Sequence, residues 1–305
     1  MKILVAGARS DLGSRTAALL RADGHDVVGL TRGPAAEGFV TADVLDAEAT
    51  RRAVAEVAPE VIVQTLNALP EKGPRRAKDM VATNLLRTQG TRNIVDAAVK
   101  AGVRRVVAES FLMAYSGTPV GGPPATEESA TGAKTGNAGI DTAIDALMEL
   151  ERQVLGFGGI VMRCGLFYGP ELGSSKFMAG LVRRRLLPVV AGADNVVSYI
   201  HIDDAAAALA AAVTRGQPGN VYNVVDDEPA GAADYLRELA ATLGAPPPRV
   251  VPRWLFRLAA GSYVSAVVSI NLALSNAKAK EELGWAPAYP TFRDGLRAGA
   301  AEPVA

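Results

Sequence analysis

The stretch "VAGARSDLGSRTAALL" (residues 5–20) decides the fold, because a glycine-containing turn there joins a short apolar run to a helical pattern. Gly7 and Gly13 stand where a backbone must approach a bound phosphate, and glycine has no Cβ to obstruct it. The helix N-terminus near Asp11 adds backbone amides and the positive end of a helix dipole. Ser10 occupies the middle glycine position of the usual dinucleotide fingerprint. The pattern predicts a dinucleotide-binding loop; the alternative is a tight turn that binds nothing.

Further short apolar runs alternate with helical patterns through the first half of the chain. They are "DVVGL", "FVTAD", "VIVQTL", "RVVAES" and, as a sixth strand ending in a loop at Gly169, "GGIVMRCGLFYGP". This alternation predicts an α/β fold, a Rossmann-type doubly wound parallel sheet. We expect an NADP-binding domain over residues 1–168, with segments near 192–225 returning to it. The changed rhythm after Pro170 predicts a smaller, mostly helical substrate-binding lobe over residues 169–305.

Composition narrows the function. The 305 residues carry no formal net charge and are 49% hydrophobic, which argues against a nucleic-acid partner. Cys164 is the single cysteine, so an internal disulfide is excluded and a cytoplasmic location is expected. No apolar run approaches the length of a membrane span, and no His/Cys/Asp cluster has metal-ligand spacing, so we predict neither membrane insertion nor a metal site.

The end of the second strand bears on the choice of dinucleotide. "DVVGLTRG" ends in Thr31 and Arg32, and no acid that could hold a ribose 2′-hydroxyl follows before Glu37. Arg9 lies in the glycine loop itself. Two guanidiniums at this point suit a 2′-phosphate, so we predict NADPH/NADP. The alternative is that both arginines are solvated surface residues.

These segments together resemble the extended short-chain dehydrogenases/reductases, which include sugar-nucleotide epimerases and dehydratases. "GARSDLG", "TADVLDAEAT", "NLLRTQGTRNIVDAAVKAGVRRVV", "VMRCGLFYGP" and "AKEELGWAPAYPTFRDGL" carry the resemblance over essentially the whole chain. In that family the acid at the position of Asp43 commonly touches the adenine. The predicted cofactor contacts are Gly7, Arg9, Ser10, Asp11, Leu12, Gly13, Thr31, Arg32, Asp43, Val44, Leu66, Asn67, Ala68, Cys164 and Leu166.

The family's chemistry normally uses a Ser or Thr after the fifth strand and a Tyr-x-x-x-Lys on the next helix. Here that helix reads "NAGIDTAIDALMELERQV" (residues 137–154), with neither tyrosine nor lysine. The serine position is ambiguous, because "AESFLMAYSG" offers Ser110 whereas alignment on Tyr115 places Phe111 there. A missing general acid ordinarily costs on the order of 10²- to 10⁴-fold in rate.

Three proton sources stay open: a replacement side chain, the substrate or ordered water. Ser110 and Tyr115 are the candidate catalytic residues, although Tyr115 could equally be a packed loop aromatic. His201 and His25 are expected to be structural. A phenol next to a substrate carbonyl would be an intramolecular donor of high effective molarity, and this second source fits the surroundings best.

Apolar side chains replace the polar groups expected around the substrate, which suits a flat aromatic compound more than a sugar. The predicted substrate contacts are Leu69, Phe111, Leu112, Met113, Ile140, Tyr199 and Trp254, each of which could instead be core. The Gly/Pro-rich residues 116–132 predict a mobile loop over a site. Arg183–Arg185 could bind an acidic substituent, but a solvated helix face is the simpler interpretation.

The first functional hypothesis is therefore an NADPH-dependent ketoreductase acting on a hydroxylated polycyclic aromatic ketone without a Tyr/Lys dyad. It is similar in kind to the tyrosine-lacking reductases that tailor aromatic polyketides, such as the angucyclinone ketoreductase of simocyclinone biosynthesis. A catalytically silent NADP-binding sensor and a sugar-nucleotide epimerase or dehydratase are the alternatives. The sequence leaves monomer and homodimer open.

Overall fold

The computed structural model describes residues 1–34, 36–115, 117, 121–193 and 195–301, without the side chains of residues 300 and 301. Of the predicted loop 116–132, residues 116 and 118–120 lie outside this part. The described strands are β1 (Lys2–Ala6), β2 (Asp26–Thr31), β3 (Phe39–Thr41), β4 (Val61–Gln64), β5 (Arg105–Phe111), β6 (Ile160–Cys164), β7 (Leu166–Tyr168), β8 (Val189–Val190), β9 (Val196–Val197), β10 (Tyr199–His201), β11 (Val221–Val224), β12 (Ala230–Gly231) and β13 (Val250–Val251).

Helices follow most of the strands. In the same part of the chain they are α1 (Asp11–Ala22), α2 (Ala47–Val57), α3 (Val81–Leu85), α4 (Thr91–Ala101), α5 (Ala138–Gly156), α6 (Gly173–Arg183), α7 (Ile202–Arg215), α8 (Ala232–Thr242), α9 (Arg253–Val267), α10 (Ala277–Leu283) and α11 (Phe292–Ala301). None of these helices is long and apolar enough to cross a bilayer.

The main sheet has seven parallel strands among the described residues, in the order β11-β6-β5-β4-β1-β2-β3. The strand order reverses between β1 and β4, and α/β proteins bind ligands in the crevice at that point, at the carboxyl ends of the strands. The expected Rossmann-type α/β class is confirmed. The proposed division into two domains stays a prediction.

The sequence segment taken as one sixth strand forms two strands. It breaks at Gly165, where an added Cβ would lie 2.8 Å from the backbone oxygen of Ser198. The first half, β6, stays in the main sheet, whereas β7 pairs with β10 in a separate two-stranded sheet. The break therefore directs the chain out of the main sheet towards the C-terminal elements.

The two faces of the main sheet are covered by different helices. Val5, Val63 and Val107 share an apolar core with α1 and α7, and the alternate residues of the same strands share another with α2, α4 and α5. The helical run before β5 ends at Gly102, in the left-handed conformation with φ of 68°. Between α3 and α4 it contains a π-helical turn, Leu86–Gly90. Such turns are rare and frequently lie at functional sites.

Candidate active site

The glycine loop after β1 is shaped for close approach of a ligand to the backbone. Ser10 caps α1, its hydroxyl accepting a hydrogen bond from the Gly13 amide at 3.0 Å. Gly7 has a φ of 93°, and a Cβ on Gly13 would lie 2.2 Å from the Gly7 carbonyl oxygen and 2.6 Å from Thr65 Oγ1. The loop therefore needs both glycines, and its free amides at a helix N-terminus fit a pyrophosphate.

Arg9 lies across the carboxyl end of β2. Its Cζ is 5.0 Å from the centre of the Phe39 ring, and its Nη2 donates a long hydrogen bond of 3.5 Å to the Pro34 carbonyl. A Cβ on Gly33 would meet Arg9 Nη1 at 2.8 Å. Neighbouring Arg32 is exposed, and neither arginine pairs with an acid among the described residues. Two uncompensated guanidiniums thus lie where the sequence predicts a 2′-phosphate.

The other predicted cofactor residues follow the carboxyl edge of the sheet. Thr31 is buried, and its hydroxyl accepts a hydrogen bond from the Gly33 amide at 3.0 Å. Asp43 is exposed after β3, and its Oδ1 accepts a hydrogen bond from the Leu45 amide at 3.0 Å. Asn67 is exposed after β4, between two half-buried neighbours. The enclosed side chains are Leu12, Val44 and Cys164. For all of these residues, a role in cofactor binding stays a prediction. Leu12, Val44 and Cys164 could contact a cofactor only through their backbone atoms.

The two candidate catalytic hydroxyls belong to a buried network. Ser110 donates to Glu151 Oε1 at 2.6 Å, and Arg163 holds both oxygens of Glu151 at 2.9 and 2.7 Å. Tyr115 donates to Asn223 Oδ1 at 2.8 Å and lies under the Arg163 guanidinium, 4.6 Å from Cζ to the ring centre. Burial raises the pKa of Tyr115. Both hydroxyl protons are used inside the protein, which argues against either residue as the acid; their catalytic role stays a prediction.

Helix α5 stands where the family resemblance places the Tyr-x-x-x-Lys dyad, and it contains neither residue. Asn137 caps it, accepting from the Gly139 and Ile140 amides at 3.1 and 3.3 Å. In the turns before Glu151 its buried face consists of Ile140, Ala143, Ile144, Ala146, Leu147 and Leu150. A helix presents residues four apart on one face. The buried face of α5 therefore carries no proton-donating side chain in the turns that precede Glu151.

Two charged residues near the carboxyl end of β5 were not among the predicted site residues. Glu109 is half-buried near the carboxyl end of β5, and Arg87 is 9% exposed in the π-helical turn. Burial raises the pKa of Glu109 to about 7, although the positive charge of Arg87 acts to lower it. Burial also lowers the pKa of Arg87. The sequence signal was available: an acid inside the apolar strand "RVVAES" needs an explanation.

A large cavity lies among the C-terminal elements, and residues of the segments after β4 and before α5 also line it. Its volume is about 1400 Å³, and three predicted residues, Leu166, Tyr199 and Trp254, line it. Tyr199 stacks on Tyr235, with ring centres 4.7 Å apart. The charged residues of its described lining are all arginines: Arg75, Arg76, Arg253 and Arg257. None of these four forms an ion pair with a described acid, so the cavity suits an apolar body with an anionic group.

Other predicted substrate residues lie elsewhere, and two are corrected. Leu112 and Ile140 are 1% and 0% exposed. Their side chains are packed in the core, so the prediction that they contact the substrate is wrong. Phe111 and Met113 are half-buried against the cluster that contains Leu112. Leu69 is exposed. None of these five lines the large cavity; for the last three, substrate contact stays a prediction.

His201 has the structural place expected of it. It caps α7, with Nδ1 accepting from the Asp203 amide at 3.3 Å, and burial lowers its pKa. His25 lies near the N-terminal amine, with Nδ1 3.5 Å away. Among the residues that the structure describes, no group of three His, Cys, Asp or Glu side chains is arranged to hold a metal ion.

The parallel sheet, the glycine loop at its switch point and the crevice beside β5 define a dinucleotide-binding protein of the Rossmann class. Residues 3–225 match the NAD dependent epimerase/dehydratase family, and the chain belongs to that family. This confirms the resemblance to extended short-chain dehydrogenases/reductases.

Two relatives and one solved structure show the range of the similarity. The chain is 39% identical to a 3-diazoavenalumate denitrifying reductase of a Streptomyces species, over 97% of this chain and 99% of that one. It is 29% identical to the UDP-glucose 4-epimerase of Mycolicibacterium smegmatis, with 94% of each chain covered. The human epimerase family protein SDR39U1, crystallised with NADPH, superposes with a TM-score of 0.79 at 19% identity, over 98% of this chain and 99% of that one. The last similarity shows the fold.

Proposed function

We propose that the protein is an NADPH-dependent reductase of an aromatic substrate that carries an acidic group. The observation that carries this proposal is the large cavity with an apolar wall, four arginines and no acid in its described lining. A nucleotide cofactor fits the glycine loop, because the loop leads into the N-terminus of α1, where backbone amides and the helix dipole favour a pyrophosphate. Arg9 and Arg32 would hold the 2′-phosphate. When bound, the reduced nicotinamide supplies a hydride.

The first candidate substrate is a diazo-substituted aromatic carboxylate. The reductase relative that covers 97% of this chain is named for a diazo-bearing carboxylate and for the loss of its nitrogen. A carboxylate matches the arginines of the cavity, since charge-assisted and bidentate contacts are what guanidinium groups provide. The diazo carbon would receive the hydride, and dinitrogen would leave.

The second candidate is the hydroxylated polycyclic aromatic ketone predicted from the sequence. The aromatic stack of Tyr199 and Tyr235 and a volume of about 1400 Å³ favour a large flat ring system. The sequence hypothesis takes the proton from the substrate's own phenol, because α5 supplies none. In both cases the enzyme works without a tyrosine or lysine on α5.

The test is hydride transfer from NADPH deuterated at C4. We expect deuterium in the product of one of two panels, diazo-substituted aromatic carboxylates or hydroxyanthraquinone-like ketones, with dinitrogen released only from the first. Arg257→Ala should raise the substrate KM, and Arg237→Ala, in an exposed pair with Asp234, should not. Tight NADPH binding with no transfer to any compound would contradict the proposal and favour a silent NADP-binding sensor. Turnover of UDP-sugars alone would favour an epimerase.

Location and assembly are proposed from the sequence alone. The single cysteine favours the cytoplasm. Monomer and homodimer are both compatible with the chain, and light scattering of the purified protein at several concentrations distinguishes them.

A further inference from the structure

Glu109 lies in line with the glycine loop across three neighbouring strands. The register pairs Ala6 with Gln64 and Gln64 with Ala108. The next residues, Gly7, Thr65 and Glu109, therefore lie at one level along the carboxyl edge. Neighbouring strands are about 4.7–4.9 Å apart, so the Glu109 backbone is on the order of 10 Å from that of Gly7.

The side chain of Glu109 lies on the same face of the sheet as that of Thr65. Strand residues alternate between faces, and Glu109 shares its face with Val107, whose core contains Val63, two residues before Thr65. Thr65 Oγ1 in turn lies against the positions of both glycines of the loop. Ser110, by contrast, points to the other face and bonds Glu151 on α5. Glu109 is thus the carboxyl group of β5 on the cofactor side.

Few groups compensate the charge of Glu109. The charged and titratable side chains that act on it are Arg87, from the π-helical turn, and Cys164, from β6. Tyr263 of α9 acts on Arg87, and Asp79 acts on Tyr263. Neither Glu109 nor Arg87 makes a side-chain hydrogen bond to a described residue. A half-buried carboxyl without such a bond keeps its proton available to a ligand.

We propose that Glu109 is the proton donor of this site, held beside the hydride-accepting atom and modulated by Arg87. The proposal rests on the proposed reductase function and supplies from β5 what α5 lacks. It replaces the substrate's own phenol as the source of the proton. Arg87 holds the carboxylate after transfer, and Glu109 regains its proton from solvent.

The reaction balances for both candidate substrates. A carbonyl takes the hydride at carbon and the proton of Glu109 at oxygen, which gives an alcohol. A diazo compound in its neutral quinone-diazide form takes the proton of Glu109 at the ring oxygen and becomes a hydroxyaryl diazonium. The hydride then takes the place of dinitrogen on the ring carbon. In each case NADPH is oxidised to NADP⁺ and one proton is consumed.

The first measurement needs no substrate. The oxidised cofactor carries a positive ring charge that the reduced cofactor lacks, and a positive charge lowers the pKa of a nearby carboxyl. Calorimetry at about pH 7, in buffers of different ionisation enthalpy, should show more proton release on binding NADP⁺ than NADPH. Comparing the two cofactors cancels protons released by their shared phosphates. Glu109→Gln should abolish the difference, and Glu56→Gln, on the exposed face of α2, should keep it.

The second measurement is the pH profile of kcat/KM. Because the donor is the protonated form, the rate should fall as the pH rises through about 7, the pKa of Glu109. Glu109→Gln should lower kcat/KM on the order of 10²- to 10⁴-fold and remove that falling limb. Arg87→Gln removes a positive charge, raises the pKa of Glu109 and moves the limb to higher pH, whereas Arg87→Lys keeps the charge and the profile. If Arg87 only supported the fold, its replacement by Gln would not shift the falling limb of the pH profile.

The outcomes separate the inference from the proposed function. Equal proton release in wild type and Glu109→Gln, or a wild-type pH profile in Glu109→Gln, overturns the inference. Loss of turnover on methylating the phenol of the substrate overturns it too, because the substrate would then be the donor. If the wild type transfers no deuterium to any compound, the reductase proposal fails, and the calorimetric difference alone decides whether Glu109 faces the nicotinamide.

Discussion

Backbone forms the ligand surface at the end of β1, whereas side chains form it at the end of β5. Around Gly7 and Gly13 an added Cβ would overlap the loop carbonyl or Thr65, so the geometry excludes almost every substitution. At the end of β5, Ser110 and Tyr115 are enclosed and Glu109 is half-buried. Sterics therefore fix the backbone at the end of β1, whereas at the end of β5 the burial of each side chain decides which groups a ligand can reach.

The largest effect is expected from the buried ion pair that supports the end of β5. Glu151 and Arg163 are 1% and 4% exposed, so Glu151→Ala leaves an uncompensated guanidinium. The free energy of unfolding should fall by about 3–5 kcal/mol, measured by urea denaturation. Glu149→Ala, two residues earlier in a mostly exposed cluster with Arg152, should cost at most about 1 kcal/mol. An equal loss of unfolding free energy in the two variants would show that the Glu151–Arg163 pair does not stabilise the end of β5.

The next effect tests the steric constraint at β1. In Gly13→Ala the new Cβ would lie 2.2 Å from the Gly7 carbonyl oxygen. We expect the Kd for NADPH to rise roughly 100-fold, equivalent to about 2.7 kcal/mol. Gly156→Ala is the matched control, because it also lies in a helix and its Cβ would meet nothing within 4 Å. An unchanged Kd for NADPH in Gly13→Ala would show that the loop after β1 is under no stronger steric constraint than the end of β5.

A smaller and more selective effect is expected at the end of β2. Arg9→Ala and Arg32→Ala each remove a guanidinium from the predicted 2′-phosphate site. Charge-assisted hydrogen bonds contribute about 1.5–3 kcal/mol, so the Kd for NADPH should rise roughly 10- to 100-fold. The Kd for NADH, measured by the same fluorescence titration, should change little. Parallel loss of both cofactors would assign the arginines to the fold rather than to specificity.

The smallest effect is expected from Ser110→Ala. The variant removes one hydrogen bond to Glu151, which Arg163 still holds on both oxygens. We expect a loss of about 1 kcal/mol in unfolding free energy and a kcat/KM within about threefold of wild type. A fall of two orders of magnitude in kcat/KM, with the fold intact by circular dichroism, would restore Ser110 as a catalytic residue.

Local sequence patterns were sufficient for much of the fold. The glycine loop and the alternation of strands and helices depend on neighbouring residues, and the structure has them where the sequence predicts them. The break of the sixth strand at Gly165 was missed, because the backbone that Gly165 packs against belongs to Ser198 and Tyr199, more than 30 positions later in the chain.

The substrate side was less predictable. Tyr199 and Trp254 line the large cavity, and their contact with a substrate stays a prediction, whereas Leu112 and Ile140, of the same apolar kind, are core. The four cavity arginines went unrecognised, since Arg75 and Arg76 stand almost 180 positions before Arg253 and Arg257.

The sequence by itself determined the class of fold, the phosphate loop and the absence of tyrosine and lysine from α5, because each depends on residues close together in the chain. Only the tertiary structure decided which side chains are open to a ligand. It enclosed Ser110 and Tyr115, brought Arg87 to Glu109 and gathered four arginines around one cavity. Burial and charge compensation arise between distant elements, and they decide whether a polar group supports the fold or stays available for chemistry.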